Sequence, residues 1–235
     1  MKKSQIAMFA VLVIVIPATL YLGTKLPGRS YYLLSALVAR EILVPFFMAF
    51  EGRKPHPREL VTVAVLSAMA VIARVAVPLP GFKPTFAVIM LAGIAFGPET
   101  GFIVGAMGAL GSDFFYGQGP FTPWQMMAYG MAGLMGGFVY QHNCLPRKNW
   151  VMGVFCFLST VLLIGPLLDT STVAIMTANF KWLTALPIYL SGLPVNLTQG
   201  TCNFLTMLFF GNAILEKLDR VKTQYGMMET EDDGL

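Results

Sequence analysis

Between Asp113 and Met126 the chain reads DFFYGQGPFTPWQM, a run of aromatic rings, neutral amides, glycine and proline set between far more apolar segments. A second polar group, NLTQGTCN, places Asn196, Gln199 and Asn203 three and four residues apart. That spacing puts all three on one face of a helix. Flat rings supply apolar area, and amides supply neutral donors and acceptors. Together they suit a pocket for a small organic molecule. They do not suit catalysis. His56 and His142, the two histidines, sit in basic connectors, and Cys144, Cys156 and Cys202 have no metal-site spacing. No nucleophile–base pair stands out, and no GxxxxGK[ST] loop is present to hold a nucleotide. The chemistry on offer is binding without turnover, with no catalytic residue, no metal and no intrinsic cofactor. Plainer readings exist for the same residues. Trp and Tyr collect at membrane interfaces, and amides inside a membrane bond one helix to another.

The elements that must position these groups follow from composition. The chain is 56% hydrophobic and 12% charged, against about 25% charged in a soluble domain. Long apolar runs without strict alternation select helices, because backbone in hydrocarbon must satisfy its own hydrogen bonds. Eight helices are expected, at roughly 5–23, 31–50, 60–78, 84–97, 101–114, 122–141, 150–168 and 187–214. The fourth and fifth, at about 14 residues, fall short of the roughly 20 that span a bilayer and need neighbours around them. The last is long enough to tilt or to break near Pro194. The first, behind Lys2 and Lys3, reads as an uncleaved helix rather than a signal peptide.

Basic residues set the orientation. With the N-terminus in the cytoplasm, the basic residues of the chain ends and of the 53–58 and 147–148 connectors fall inside. Lys25, Arg29, Lys83 and Lys181 fall outside, and so does DFFYGQGPFTPWQM. Both termini are then cytoplasmic, in a multi-pass plasma-membrane protein. Glycines recur every three or four residues from Gly93 to Gly111 and again from Gly130 to Gly137, spacing that lets helix backbones approach closely. FGPETG reads as a tight turn joining helices four and five. Arg74 has three possible uses: snorkelling, pairing with Asp113 or reaching a ligand.

The segment from Lys83 to Gly137, with its GQGPFTPWQ loop, resembles the substrate-binding S components of energy-coupling-factor (ECF) transporters. Within them it is most similar to the cobalamin-type group. The resemblance covers about 60–215 and implies an all-α integral membrane protein with a six-helix S-component core at 59–215; two additional N-terminal transmembrane helices with a cytoplasmic connector in 1–58, and a charged cytoplasmic tail at 216–235, lie outside the family pattern. It implies a vitamin importer subunit that captures its cargo outside. A membrane coupling subunit and two cytoplasmic ATPases, which alone use ATP, then help deliver it inward. Docking on the coupling subunit is expected through small residues of the first core helix, here Ala64 and Ala68, although packing inside the bundle explains their spacing equally well.

The implied pocket is built by the loop after the first core helix, the loop between the third and fourth, and the last helices. Its candidate residues are Lys83, Tyr116, Gln118, Phe121, Trp124, Gln125, Trp182, Asn196, Gln199 and Asn203. Cobalamin is the expected transported ligand. Folate, pantothenate or a queuosine precursor are alternatives, and a membrane-embedded enzyme ranks far lower.

Overall fold

The computed structural model describes residues 57–77, 79, 81–176 and 182–224, together with positions 14–15, 18–19, 37 and 40–41. The helices expected at 5–23 and 31–50 therefore lie largely outside the described residues. Between their scattered described positions, Thr19 Oγ1 donates to Glu41 Oε1 at 2.7 Å. The regular structure among the described residues is all helical.

Helix α1 spans Pro57–Val75, α2 Thr85–Phe96, α3 Pro98–Tyr116 and α4 Thr122–Gln141. Helix α5 (Asn149–Ser159) runs through a π-helical turn (Thr160–Ile164) into α6 (Gly165–Met176), and α7 spans Trp182–Gln224. The six rods correspond to the six expected from residue 60 onward, with revised ends.

Short α2 is the centre of the bundle. Its twelve residues rise about 18 Å, well under a bilayer's ~30 Å hydrocarbon core. All but Val88 are buried, because α1, α3, α4, α5 and α7 all pack against it. One residue, Gly97, turns α2 into α3. Its φ of 99° is a conformation that suits glycine. Pro98 then occupies the first turn of α3, where a missing N–H costs nothing. Helix α3 consequently starts at Pro98 and not at 101, and reaches 19 residues.

The glycine spacing is used between α3 and α4. A β-carbon on Gly133 would strike the Gly101 carbonyl, and one on Gly105 would strike the Tyr129 carbonyl. The backbones themselves are in contact there.

Two helix ends correct the sequence reading. The rod containing α5 continues past 168 to Met176. The polar run at its end does not stop it: Thr170 Oγ1 donates to Pro166 O at 2.7 Å and Ser171 Oγ to Leu168 O at 2.6 Å, so these hydroxyls bond within the helix. The stretch Asn149–Val173 is long and apolar enough to cross a membrane, with mean hydropathy 2.3 in its best window. Helix α7 does not break near Pro194. It carries both Pro187 and Pro194 inside 43 continuous residues, and it packs along α2, α5, the π turn and α6. Neighbouring helices of this kind let a membrane helix tolerate proline.

Beyond 214 the helix persists because Leu215, Leu218 and Val221 keep one apolar stripe on the core. Lys222 Nζ adds a bond to Ala95 O at 3.2 Å, a cation at the carbonyl end of α2. Position 216, taken as the start of the tail, thus lies within α7.

Candidate ligand-binding site

One end of the bundle brings together Arg74, Lys83, Asp113, Tyr116 and Gln125. Its anchor is Arg74, in the last turn of α1 and only 9% exposed. Nη1 donates to Asp113 Oδ1 at 2.8 Å and to Ser112 Oγ, both on α3. Nη2 donates to Gln125 Oε1 at 2.8 Å, on α4. The planar guanidinium is the cation whose fork can serve several acceptors in fixed directions. Of the three uses open to Arg74, pairing with Asp113 is the one observed. Gln125, with its oxygen taken, keeps its amide nitrogen as the group left to donate.

Tyr116 ties in the loop after α1. Its hydroxyl donates to Arg74 O at 3.0 Å and accepts from Lys83 Nζ at 2.8 Å. Lys83 Nζ also lies 4.3 Å from the Tyr116 ring centroid, and the Arg74 guanidinium 5.4 Å from it. The two cations therefore face the electron-rich ring and hydroxyl. On its other side the loop touches α7, where Gly81 backs onto Val195 and Thr198.

The α3–α4 connector completes this rim. Gly117 (φ 93°) ends α3, a conformation that strains any residue with a β-carbon. Thr122 closes the next turn: its N–H donates to Gly119 O at 3.0 Å and its Oγ1 accepts from Gly119 N at 3.2 Å. The Phe121 ring folds back over Gly119. Gln118 and Phe121 are half-buried, and Trp124 packs partly against the core. Phe114 and Phe115, not among the candidates, are at least 70% exposed beside Tyr116.

The three amides of α7 separate. Asn203 is fully buried and its side chain is spent on backbone. It donates to Gln199 O at 2.7 Å and accepts from Ala87 N at 2.8 Å, satisfying one of the open N–H groups at the start of α2. Asn196 donates to Asp169 Oδ2 on α6 at 2.9 Å. Gln199 lies between them and is half-buried. Trp182 opens α7, and its side chain falls outside the described residues.

Asp169, Thr170 and Tyr189 are polar groups here that sequence reasoning missed. Thr170 and Tyr189 share a hydroxyl–hydroxyl bond of 2.8 Å. Their signal was present, since an acid inside LLIGPLLDTSTV is an ionisable group within an apolar run. It was hidden by ending the helix at 168.

Ala64 and Ala68 lie elsewhere. They sit on the open side of α1 with Val61, Val65 and Ile72, while Val63, Leu66 and Ala70 face the core. Among the described residues no metal-ligand cluster occurs.

This all-helical bundle carries a polar and aromatic rim at one end. Residues 55–216 match the family described as the ECF-type riboflavin transporter, S component. The chain belongs to that family of S components. It is thereby a plasma-membrane transporter component and not a member of an enzyme family. Its family role is vitamin uptake alongside ECF coupling and ATPase subunits. No curated protein and no solved structure gives a significant match.

Proposed function

We propose that this chain is the subunit that captures a large, net-neutral, ring-bearing vitamin, cobalamin, at the rim formed by the 76–84 loop, the 117–121 connector, α6 and α7. The observation that carries this reading is the way the rim's charges are used. Around the 76–84 loop and the α3–α4 connector, Arg74 is committed to Asp113 and Gln125, and Lys83 to Tyr116, which leaves rings and neutral amides there as the groups available to a ligand. Tyr116, Phe121 and Trp124 supply ring contact. Gln118, Gln125 and Gln199 supply hydrogen bonds to the cargo's amides. Asn203 serves as a brace for α2. Protein ligation of the cobalt is not expected: among the described residues the histidine, His142, stacks on Phe138 at 4.4 Å between rings, beyond the far end of α4.

Riboflavin is the second reading, favoured by the description of the matched family. It is uncharged and combines a flat ring with hydrogen-bonding groups. Calorimetry of the purified subunit against cobalamin, riboflavin, folate and pantothenate separates the cargoes. Cobalamin is expected to bind tightly and to be recovered unaltered. Trp124→Ala is expected to weaken binding by about 1–3 kcal/mol, the value of burying such a side chain, while His142→Ala leaves it unchanged. Tight folate or pantothenate binding with none of cobalamin would replace the cargo.

A further inference from the structure

The π-helical turn at Thr160–Ile164 lies inside an otherwise α-helical rod. Such insertions occur often at functional sites. Just beyond it the chain has made room for a carboxylate. Gly165 backs onto the Asn196 side chain, and Gly192 backs onto the Asp169 carboxylate; a β-carbon at either glycine would strike the polar group. Asn196, itself 7% exposed, donates to Asp169 Oδ2. Among the described residues no donor bonds Oδ1 and no cation pairs with Asp169. Arg74 and Lys83 are both engaged on α3 and α4. Asp169 is half-buried between α6 and α7. The 76–84 loop reaches α7 at Val195 and Thr198, on either side of Asn196 in sequence. An acid at membrane depth faces a cavity or a partner and not lipid.

We infer that Asp169, held by Asn196 and bedded on Gly192, is a specificity-determining residue that accepts an N–H or O–H from the cargo and rejects anionic cargo. This rests on the vitamin-binding reading above. A carboxylate with an open oxygen rewards a donor, because hydrogen bonds to charged groups are the strong ones. The same oxygen opposes an anionic carboxylate or terminal phosphate placed beside it, and a site discriminates by such repulsion as much as by attraction.

The test uses pairs of ligands that share one skeleton and differ in charge: cobalamin against its monocarboxylic acid, and riboflavin against its 5′-phosphate. The wild-type subunit is expected to bind the neutral member of its preferred pair at least tenfold more tightly. Asp169→Asn is expected to weaken the neutral ligand by about tenfold and to shrink the neutral-to-anionic ratio toward one. Asp169→Glu, which keeps the charge, is expected to keep the preference. The wild-type ratio needs no variant, so misfolding of Asp169→Asn cannot shelter the idea. A wild-type ratio near one, or a ratio that survives in Asp169→Asn, overturns the role of Asp169 and leaves the cobalamin reading standing. An Asp169-dependent ratio seen with riboflavin and not cobalamin keeps the role and removes the cobalamin reading.

Discussion

At the scale of residues, the buried ion pair between Arg74 and Asp113 decides how the rim is held. Both partners have been taken out of water; Arg74 is compensated by Asp113, Ser112 and Gln125, and Asp113 by Arg74. Removing one partner leaves a buried charge without compensation, which typically costs about 3–5 kcal/mol. Arg74→Met is therefore expected to lower thermal stability in detergent strongly. Arg74→Met combined with Asp113→Leu is expected to recover much of the loss, because no charge is then stranded. If the double variant proved no better than the single one, the pairing would matter for its directional bonds and not for its charge. Arg74 and Asp113 were legible in the sequence as ionisable residues near a span end. Their union stood as one of three possible uses of Arg74: 38 other residues separate the two along the chain, and the packing of α1 on α3 selects it by bringing them to 2.8 Å.

At the scale of elements, the α3–α4 pair rests on glycine. Gly101 and Gly133 sit backbone to backbone, so an added side chain has no flexible neighbour to push aside. Gly133→Val is expected to destabilise by roughly 1–3 kcal/mol or more, the usual cost of overpacking. An unfolding midpoint equal to wild type would contradict the contact. Helix α1 makes the opposite case. Ala64 and Ala68 lie on its open side, so volume added there meets no described core residue. Replacing both with Trp is expected to block uptake in cells with the coupling and ATPase subunits present, while vitamin binding by the isolated subunit stays within about twofold, below a 1.4 kcal/mol tenfold step. Loss of binding along with uptake would assign these alanines to the fold instead of to docking.

At the scale of the whole molecule, the two ends of the bundle are chemically different. One end carries the rim with Tyr116, Trp124 and Lys83. The other carries exposed Cys144, His142 and the Arg147–Asp219 pair at 3.1 Å. The excess of basic residues at the second end predicts that it faces the cytoplasm. Pro120, exposed in the connector, supplies the probe position. In intact cells, Pro120→Cys is expected to react with a membrane-impermeant maleimide, and native Cys144 to react only after permeabilisation. The reverse labelling would turn the molecule over and move the site to the wrong side for capture.

Much of this protein was determined by its sequence alone. Apolar runs of helical length define the six described rods, because hydrocarbon admits only backbone that satisfies its own hydrogen bonds. The GQGPFTPWQ loop stood out because glycine, proline, rings and amides are rare together in so apolar a chain. Tertiary structure decided what the polar residues do. Asn196 and Asn203 look equivalent on one helical face, yet one holds Asp169 and the other holds the backbone of α2. Helix continuity through Pro194, and past Asp169 to Met176, was likewise decided by neighbours. Local propensity favours a break at proline and at a polar run, whereas packing against adjacent rods and hydroxyl bonds within the helix outweigh it. Periodicity fixes which face a residue occupies. The partner across that face belongs to another segment of the chain, and only the assembled bundle specifies it.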